Sequence, residues 1–189
     1  MGRLSCEVVA VGTELLLGQI VDTNSSWIGE QLALAGVDSY YQTKVGDNPD
    51  RIKRVLEQAL DRSDFVIVCG GLGPTQDDLT RDVIAEVMGA ELVTDEGLVE
   101  RISAIFGGRN HPMPSNNLRQ ALVPVGAEVL SVMPGTAPGL KAVIHGKTLY
   151  AVPGVPWEMK QMVIEDILPN IREKAGVASI IRSKTLRTW

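Results

Sequence analysis

This sequence predicts an α/β fold of three layers, α/β/α, with helices on both faces of a mostly parallel sheet. Three observations carry the expectation. Cys6 to Val11 and Phe65 to Cys69 are short apolar runs rich in β-branched residues, and such runs suit strands covered on both faces. Stretches of helical apolar spacing alternate with the strands, so the first half reads β-α-β-α-β-α. Both apolar runs leave directly into glycine-rich turns, and ligands of open α/β sheets gather off such strand ends.

The elements follow in order. Cys6 to Val11 is a buried strand that ends in Gly12-Thr13-Glu14. Asp22, Thr23 and Asn24 precede a helix from about Ser25 to Ala35, with Trp27, Ile28, Leu32 and Ala35 as its apolar stripe and Gly36 as its stop. Val37 to Val45 reads as a second, partly alternating strand. Asn48 is the expected N-cap and Pro49 the first residue of a helix marked by Ile52, Val55, Leu56, Ala59 and Leu60. Phe65 to Cys69 follows as a strand, and Asp82 to Met88 as a helix closed by Gly89. Glu96 to Phe106 has helical spacing. Gly107 to Ser115 is loop-like, and Asn116 opens a short helix. Glu128 to Val132 is a short strand. Leu140 to His145 and Lys147 to Val152 form a hairpin about Gly146. Pro153 to Pro156 opens a long helix that Pro169 ends or kinks. The boundaries expected are one domain over 1–175, then a linker and the first strand of a truncated following domain over 176–189.

A chain of 189 residues with 44% hydrophobic content can bury a full core. The net charge of −5, with no basic cluster among aromatics, argues against nucleic acid as a partner. No leader pattern and no membrane-length apolar run occurs, so no membrane partner is expected and the cytoplasm is the expected compartment. The two cysteines, Cys6 and Cys69, fall inside predicted strands and read as packed thiols.

The chemistry concentrates in Asp64 to Thr80, a strand, a turn with Gly70, Gly71 and Gly73, and a helix start. The glycines admit positive φ and expose backbone N–H groups; with the helix dipole, that is a seat for phosphate or diphosphate. Asp77 and Asp78 at the same mouth are candidates for holding a divalent cation. A second reading applies equally to the residue types: Thr75 and Asp78 have the spacing of a capping box, and first-turn carboxylates are ordinary dipole partners. Glu14 and Asp47 follow other strands and are placed to converge on the pair, although Asp47 also fits a turn residue ahead of an N-cap. Converging carboxylates beside an amide loop fit metal-assisted phosphoryl chemistry.

Other chemistries find no support. The Walker pattern and the G-x-S-x-G elbow are absent. Gln76 stands where a dinucleotide fingerprint needs its third glycine. Neither His111 nor His145 sits beside a nucleophile, and His111 is at most a minor ligand contact.

Four segments, Gly12 to Asn24, Gly70 to Thr80, Gly135 to Gly139 and Pro153 to Met159, resemble in order and spacing the N-terminal domain of the CinA (competence/damage-inducible protein A) family. The same domain type is similar, more distantly, to MogA/MoaB proteins and gephyrin domains of molybdenum-cofactor synthesis. The resemblance implies a molybdopterin-binding-type fold over Cys6 to about Arg172. It also implies ADP-ribose pyrophosphatase activity, giving AMP and ribose 5-phosphate, with ADP-ribose or a similar nucleotide as partner. It implies a homo-oligomer, dimer or trimer, and places a nicotinamide-nucleotide deamidase in a separate C-terminal domain expected to be missing here. The distant relatives carry Arg where this chain has Asp77, a swap that disfavours plain pterin phosphate and favours a metal-bridged diphosphate.

The expected site follows. Amides of Gly70, Gly71, Gly73 and Thr75, with Pro74 between them, cradle the diphosphate beside Gly12. Asp78 with Asp47 or Asp77 binds Mg²⁺ or a similar ion, K⁺ being a further candidate, and Glu14 binds the ion, orients water or fixes its loop. Thr13, Asp22, Asn24 and Thr80 are hydrogen-bonding candidates. Gly154, Pro156 and Glu158 shape the nucleoside end, and the last two equally read as helix-start residues. Two other classes stand beside the hydrolase: a molybdopterin-binding protein, and a non-catalytic nucleotide-binding module.

Overall fold

The computed structural model describes residues 4–107 and 113–175. The loop residue His111 and the expected tail strand from Ile180 lie outside the described residues. In chain order the strands are β1 (Cys6–Val11), β2 (Gln42–Val45), β3 (Phe65–Cys69), β4 (Leu92–Thr94), β5 (Leu122–Pro124), β6 (Glu128–Val129), β7 (Leu140–Ile144) and β8 (Lys147–Val152). The helices are α1 (Thr13–Leu16), α2 (Thr23–Leu34), α3 (Pro49–Arg62), α4 (Thr80–Met88), α5 (Glu96–Gly107), α6 (Pro156–Met162) and α7 (Leu168–Ala175). A 3₁₀ helix covers Ser115–Ala121 and a π turn covers Val163–Ile167.

Six strands form one sheet in the order β2-β1-β3-β8-β7-β6. The first four are parallel, and β7 runs against both β8 and β6. Alternate residues of the central strands feed opposite layers, as a period of two requires. Val9, Val11, Val66 and Val68 join Ile52, Leu56, Ile84 and Ile102 of α3, α4 and α5. Cys6, Val8, Phe65 and Ile67 join Ile28 and Leu32 of α2 and Met159, Met162 and Ile171 of the C-terminal helices. The three-layer expectation holds, because β1 and β3 are buried on both faces.

Local signals explain most boundaries. Asn48 caps α3 by accepting from the Arg51 N–H at 3.0 Å, with Pro49 in the first turn. Gly89 closes α4 at φ 64°. His145 and Gly146, at φ 49° and 78°, make the two-residue turn of the β7–β8 hairpin. Several expectations are corrected. The strand expected over Val37 to Val45 is ordered only as Gln42–Val45, with one isolated bridge from Asp38 to Ser5. The strand from Glu128 stops at Val129. The small β4–β5 pair has too few residues to show a period. The helical path continues through Pro169. In the π turn before it the Leu168 N–H donates to the Val163 carbonyl, and this widened spacing accommodates a residue that has no N–H of its own.

One charge interrupts the apolar run of β1. Glu7 is fully buried. Arg62 donates to both its oxygens, at 2.8 and 2.7 Å, and Thr43 Oγ1 donates to Oε1 at 2.7 Å. Arg62→Ala leaves that carboxylate buried without its cation. It is expected to cost about 2–3 kcal/mol in urea unfolding, less than for a fully buried pair because the partly exposed Arg62 is screened by solvent.

Candidate functional site

The strand order places a reversal between β1 and β3: the chain steps from β1 outward to β2, then returns to the other side for β3. Loops leaving the two strands diverge there, and a crevice opens at their carboxyl ends. The observed cavity of about 570 Å³ occupies this place. Its lining comes from four strand ends: Gly12 and Glu14 after β1, Asp47 after β2, Gly70 to Pro74 with Asp77 and Asp78 after β3, and Gly154 and Glu158 after β8. Thr136 and Ala137, from the Gly135 to Gly139 segment, also line it, together with Gln120, which carried no motif in the sequence. A second recess of about 180 Å³ adjoins it, sharing Val11, Glu14, Gly70 and Gly154 and bounded by Ile20, Val21, Asn24 and Pro156.

The loops meet closely enough to dictate two glycines. Gly70 stands at φ 109°, and a Cβ there would lie 2.3 Å from the Val11 carbonyl oxygen. Gly71 stands at φ 68°, and its Cβ would lie 2.3 Å from Thr80 Oγ1. Any other residue would be strained in backbone at either position; at Gly70 it would push the β1 and β3 ends apart, and at Gly71 it would push the loop off the start of α4.

The acidic residues divide into two kinds. Asp47 and Asp78 are committed to loop bonds. Asp47 Oδ2 accepts from the Thr13 N–H at 2.8 Å while the Asp47 N–H donates to Thr13 Oγ1 at 3.0 Å, a reciprocal clip between the β1 and β2 loops. Asp78 Oδ2 accepts from the N–H of Thr75 at 2.9 Å and from its Oγ1 at 2.6 Å. Half of the T-x-x-D box therefore forms, the Asp78 side chain accepting from the Thr75 N–H, while the Asp78 N–H donates to the Thr75 carbonyl at 3.3 Å; both bonds lie in the turn ahead of α4 and not in its first turn. By contrast, the Glu14, Asp77 and Glu158 carboxylates have no hydrogen-bond or ion-pair partner among the described residues. Glu14 lies against Gly12, and Glu158 lies against Gly135. Burial holds the Glu158 carboxyl above its ordinary value. Among the described residues no three His, Cys, Asp or Glu side chains form a group that could hold a metal ion. The acidic residues share a cavity without making an ion cage.

Other expected contacts are structural in placement. Thr80 is buried behind the glycine loop, and its hydroxyl donates to the Gly70 carbonyl at 2.7 Å. Asp22 caps α2 by accepting from the Ser25 N–H at 2.9 Å. Asn24 Nδ2 donates to the Gly154 carbonyl at 2.8 Å, tying the β8 loop to α2. Burial pushes the Cys69 thiol up to about 12, so the sulfur beside this recess is a neutral packed group.

Sequence reading missed two cations. Arg81, only 1% exposed, sits behind the loop and donates through Nη2 to the Leu72 carbonyl at 3.0 Å. Burial lowers it to about 10, which leaves it a cation at neutral pH. Arg119 donates to the Thr75 carbonyl at 2.9 Å and to Asp82 Oδ2 at 2.9 Å. The only clue to Arg81 was an arginine within the first turn of an otherwise apolar-striped helix.

Comparison with known proteins gives the affiliation. The family profile described as Probable molybdopterin binding domain matches residues 7–173. A competence-damage inducible protein of Halalkalibacterium halodurans is 46% identical over 184 residues, 97% of this chain and 44% of the relative. A CinA-like protein of Trichormus variabilis is 43% identical over 187 residues, 98% of this chain and 45% of the relative. The chain thus spans less than half the length of these curated relatives. The crystal structure of CinA from Thermoplasma acidophilum, a protein of unknown function, superposes with TM-score 0.82 at 33% identity, covering 89% of this chain and 98% of that one. MoaB of Thermus thermophilus, a molybdopterin biosynthesis enzyme, shares the fold at TM-score 0.59 and 22% identity, covering 92% and 98%. These findings correct the expected ADP-ribose pyrophosphatase activity. The family description concerns molybdopterin binding, and the fold neighbour MoaB is a molybdopterin biosynthesis enzyme. The geometry is consistent with this correction: one oxygen of each of the two carboxylates expected on the metal holds its own loop, and no group of three His, Cys, Asp or Glu ligands forms among the described residues.

Two outcomes test this description. Asp78→Ala removes both bonds to Thr75 and is expected to cost about 1 kcal/mol in denaturant unfolding, as the loss of a cap does. Glu158→Gln is expected to raise the melting temperature at neutral pH. The folded carboxyl is raised above its unfolded value, so its ionised form destabilises the fold above the carboxylate range. That cost vanishes as pH falls through the range. A melting-temperature difference between Glu158→Gln and the parent that does not shrink on acidification would contradict the assignment.

Proposed function

Because the chain belongs to the molybdopterin-binding domain family and to its CinA-like members, we propose that its cleft binds a phosphorylated pterin of the molybdopterin type, as a binding domain. The observation that carries the reading is the run of backbone N–H groups of Gly71, Leu72 and Gly73. They line the cavity and have no acceptor among the described residues. Amides at the mouth of an α/β crevice are donors for a phosphate's oxygens. The free carboxylates of Glu14 and Glu158 complement the other end of such a ligand, since the aminopyrimidine edge of a pterin offers adjacent N–H donors. A cavity of about 570 Å³ suits a ligand of that size.

The divalent ion expected from the acidic loops takes a smaller part in this proposal. Among the described residues the side chains alone supply no group of three ligands, so an ion at the cleft would draw on phosphate oxygens to complete its shell. The homo-oligomer remains part of the proposal. Leu16, Leu17, Ile20, Val21, Val155 and Trp157 are exposed apolar side chains from segments that border the small recess, and they offer area that association would bury.

The test is a fluorescence titration with a pterin carrying a phosphate on its side chain, with and without Mg²⁺. Saturable binding is expected in both conditions and tighter with the ion, whereas Mg²⁺ alone leaves the melting temperature unchanged. Gly71→Ala, which forces a Cβ onto Thr80 Oγ1, is expected to weaken binding by more than about tenfold, the equivalent of one well-made hydrogen bond to a charged group. No saturation at millimolar ligand would overturn the reading.

A further inference from the structure

The glycine loop has an organisation that its glycines alone do not explain. In an extended segment, successive carbonyls alternate in direction. Here three consecutive carbonyls are taken by one neighbour, the start of α4. Thr80 Oγ1 donates to Gly70 O at 2.7 Å, the Thr80 N–H to Gly71 O at 3.1 Å, and Arg81 Nη2 to Leu72 O at 3.0 Å. A little further on, Arg119 donates to Thr75 O at 2.9 Å. The positive φ of Gly70 and Gly71 makes the shared direction possible. All peptide bonds among the described residues are trans, and in a trans peptide the N–H points opposite to the C=O. Each carbonyl held from behind therefore turns the following N–H, of Gly71, Leu72 and Gly73, to the side away from α4. Those three residues line the cleft, and Thr80 and Arg81 do not.

Arg81 is the costly member of this set. Its side chain is among the largest fully buried in the chain, and its Nε has no hydrogen-bond partner. A buried guanidinium with an unpartnered donor is poor for stability, and an apolar side chain of similar length would serve the core better. Asp78 and Asp82 attract it and Arg119 opposes it, so it is no member of a closed ion pair.

We propose that Arg81 is a positioning residue for anion binding. From behind the loop it fixes the Leu72–Gly73 peptide with its N–H toward the cleft, and it places a buried positive charge beneath the phosphate seat. The inference rests on the phosphate end of the proposed function. It adds the source of the favourable charge in a cleft whose visible side chains are acidic.

The experiment uses the full chain, with inorganic pyrophosphate as probe, and follows backbone amide resonances by NMR. In the parent, Gly71 and Gly73 amide protons are expected to move downfield on titration. Arg81→Met is expected to keep or raise the melting temperature, to weaken pyrophosphate by about tenfold or more, and to abolish the Gly73 shift. Arg81→Lys, which can still donate to the Leu72 carbonyl, is expected to restore part of the affinity. Should Arg81→Met fail to fold, Arg81→Lys and Arg119→Gln carry the comparison, each with a smaller loss. Wild-type affinity in a folded Arg81→Met protein would overturn the proposal. A parent that shows no pyrophosphate response would instead sink the phosphate reading of the cleft. The positioning claim is then decided on ligand-free crystals of Arg81→Met: a Leu72 carbonyl in its parental direction overturns it, and a reoriented one supports it.

Discussion

The ends of β1 and β3 touch where the sheet reverses its order, at Val11 and Gly70, and the cleft opens where the loops diverge beyond that contact. Gly70 presses against the Val11 carbonyl with room for a hydrogen only. The contact fixes where the glycine loop begins, and the start of α4 fixes which way its peptides face. The sheet register that brings Val11 and Gly70 side by side is set by five parallel pairs from Cys6↔Phe65 to Ala10↔Cys69. A local turn thus depends on a nonlocal strand pairing, and a slip of one residue would exchange the two helix layers beneath it.

The same economy appears in the polar ties around the cleft. Asp47 clips the β2 loop to the β1 loop, Asp78 closes the turn after β3, and Asn24 holds the β8 loop to α2. Each of these side chains links backbone groups that a flexible loop would leave to water. The cost of ordering four loops is met before a ligand arrives, which is the condition for a preorganised site. What these ties leave free is specific: a row of amides on one wall, and the carboxylates of Glu14, Asp77 and Glu158 elsewhere.

The fold was legible because its signals are local or periodic. The runs Cys6 to Val11 and Phe65 to Cys69, the Asn48-Pro49 start, Gly89 and the turn at His145-Gly146 each act within a few residues. Membership of the cleft was legible for the same reason, since the rule of strand carboxyl ends needs only strand positions and direction. The duties of the individual residues were not. Asp47 and Asp78 have the residue type of metal ligands and the spacing of loop clips, and only the partner's position separates the two. Gln120 and Arg119 reach the site from a segment distant in the chain, with no motif to announce them.

Asp77 shows how a single position misleads about charge. Set against the Arg of distant relatives, an Asp beside the glycine loop looks like a decision against a bare phosphate. The structure puts that carboxylate on the exposed rim and puts two guanidiniums behind the loop, one of them almost entirely buried. A rim carboxylate acts through water and mobile ions, which weaken its field within about 10 Å. A buried cation acts through protein and is screened far less, even with Asp78 and Asp82 offsetting part of the charge of Arg81. The electrostatic preference of the amide wall is therefore a property of what lies behind it.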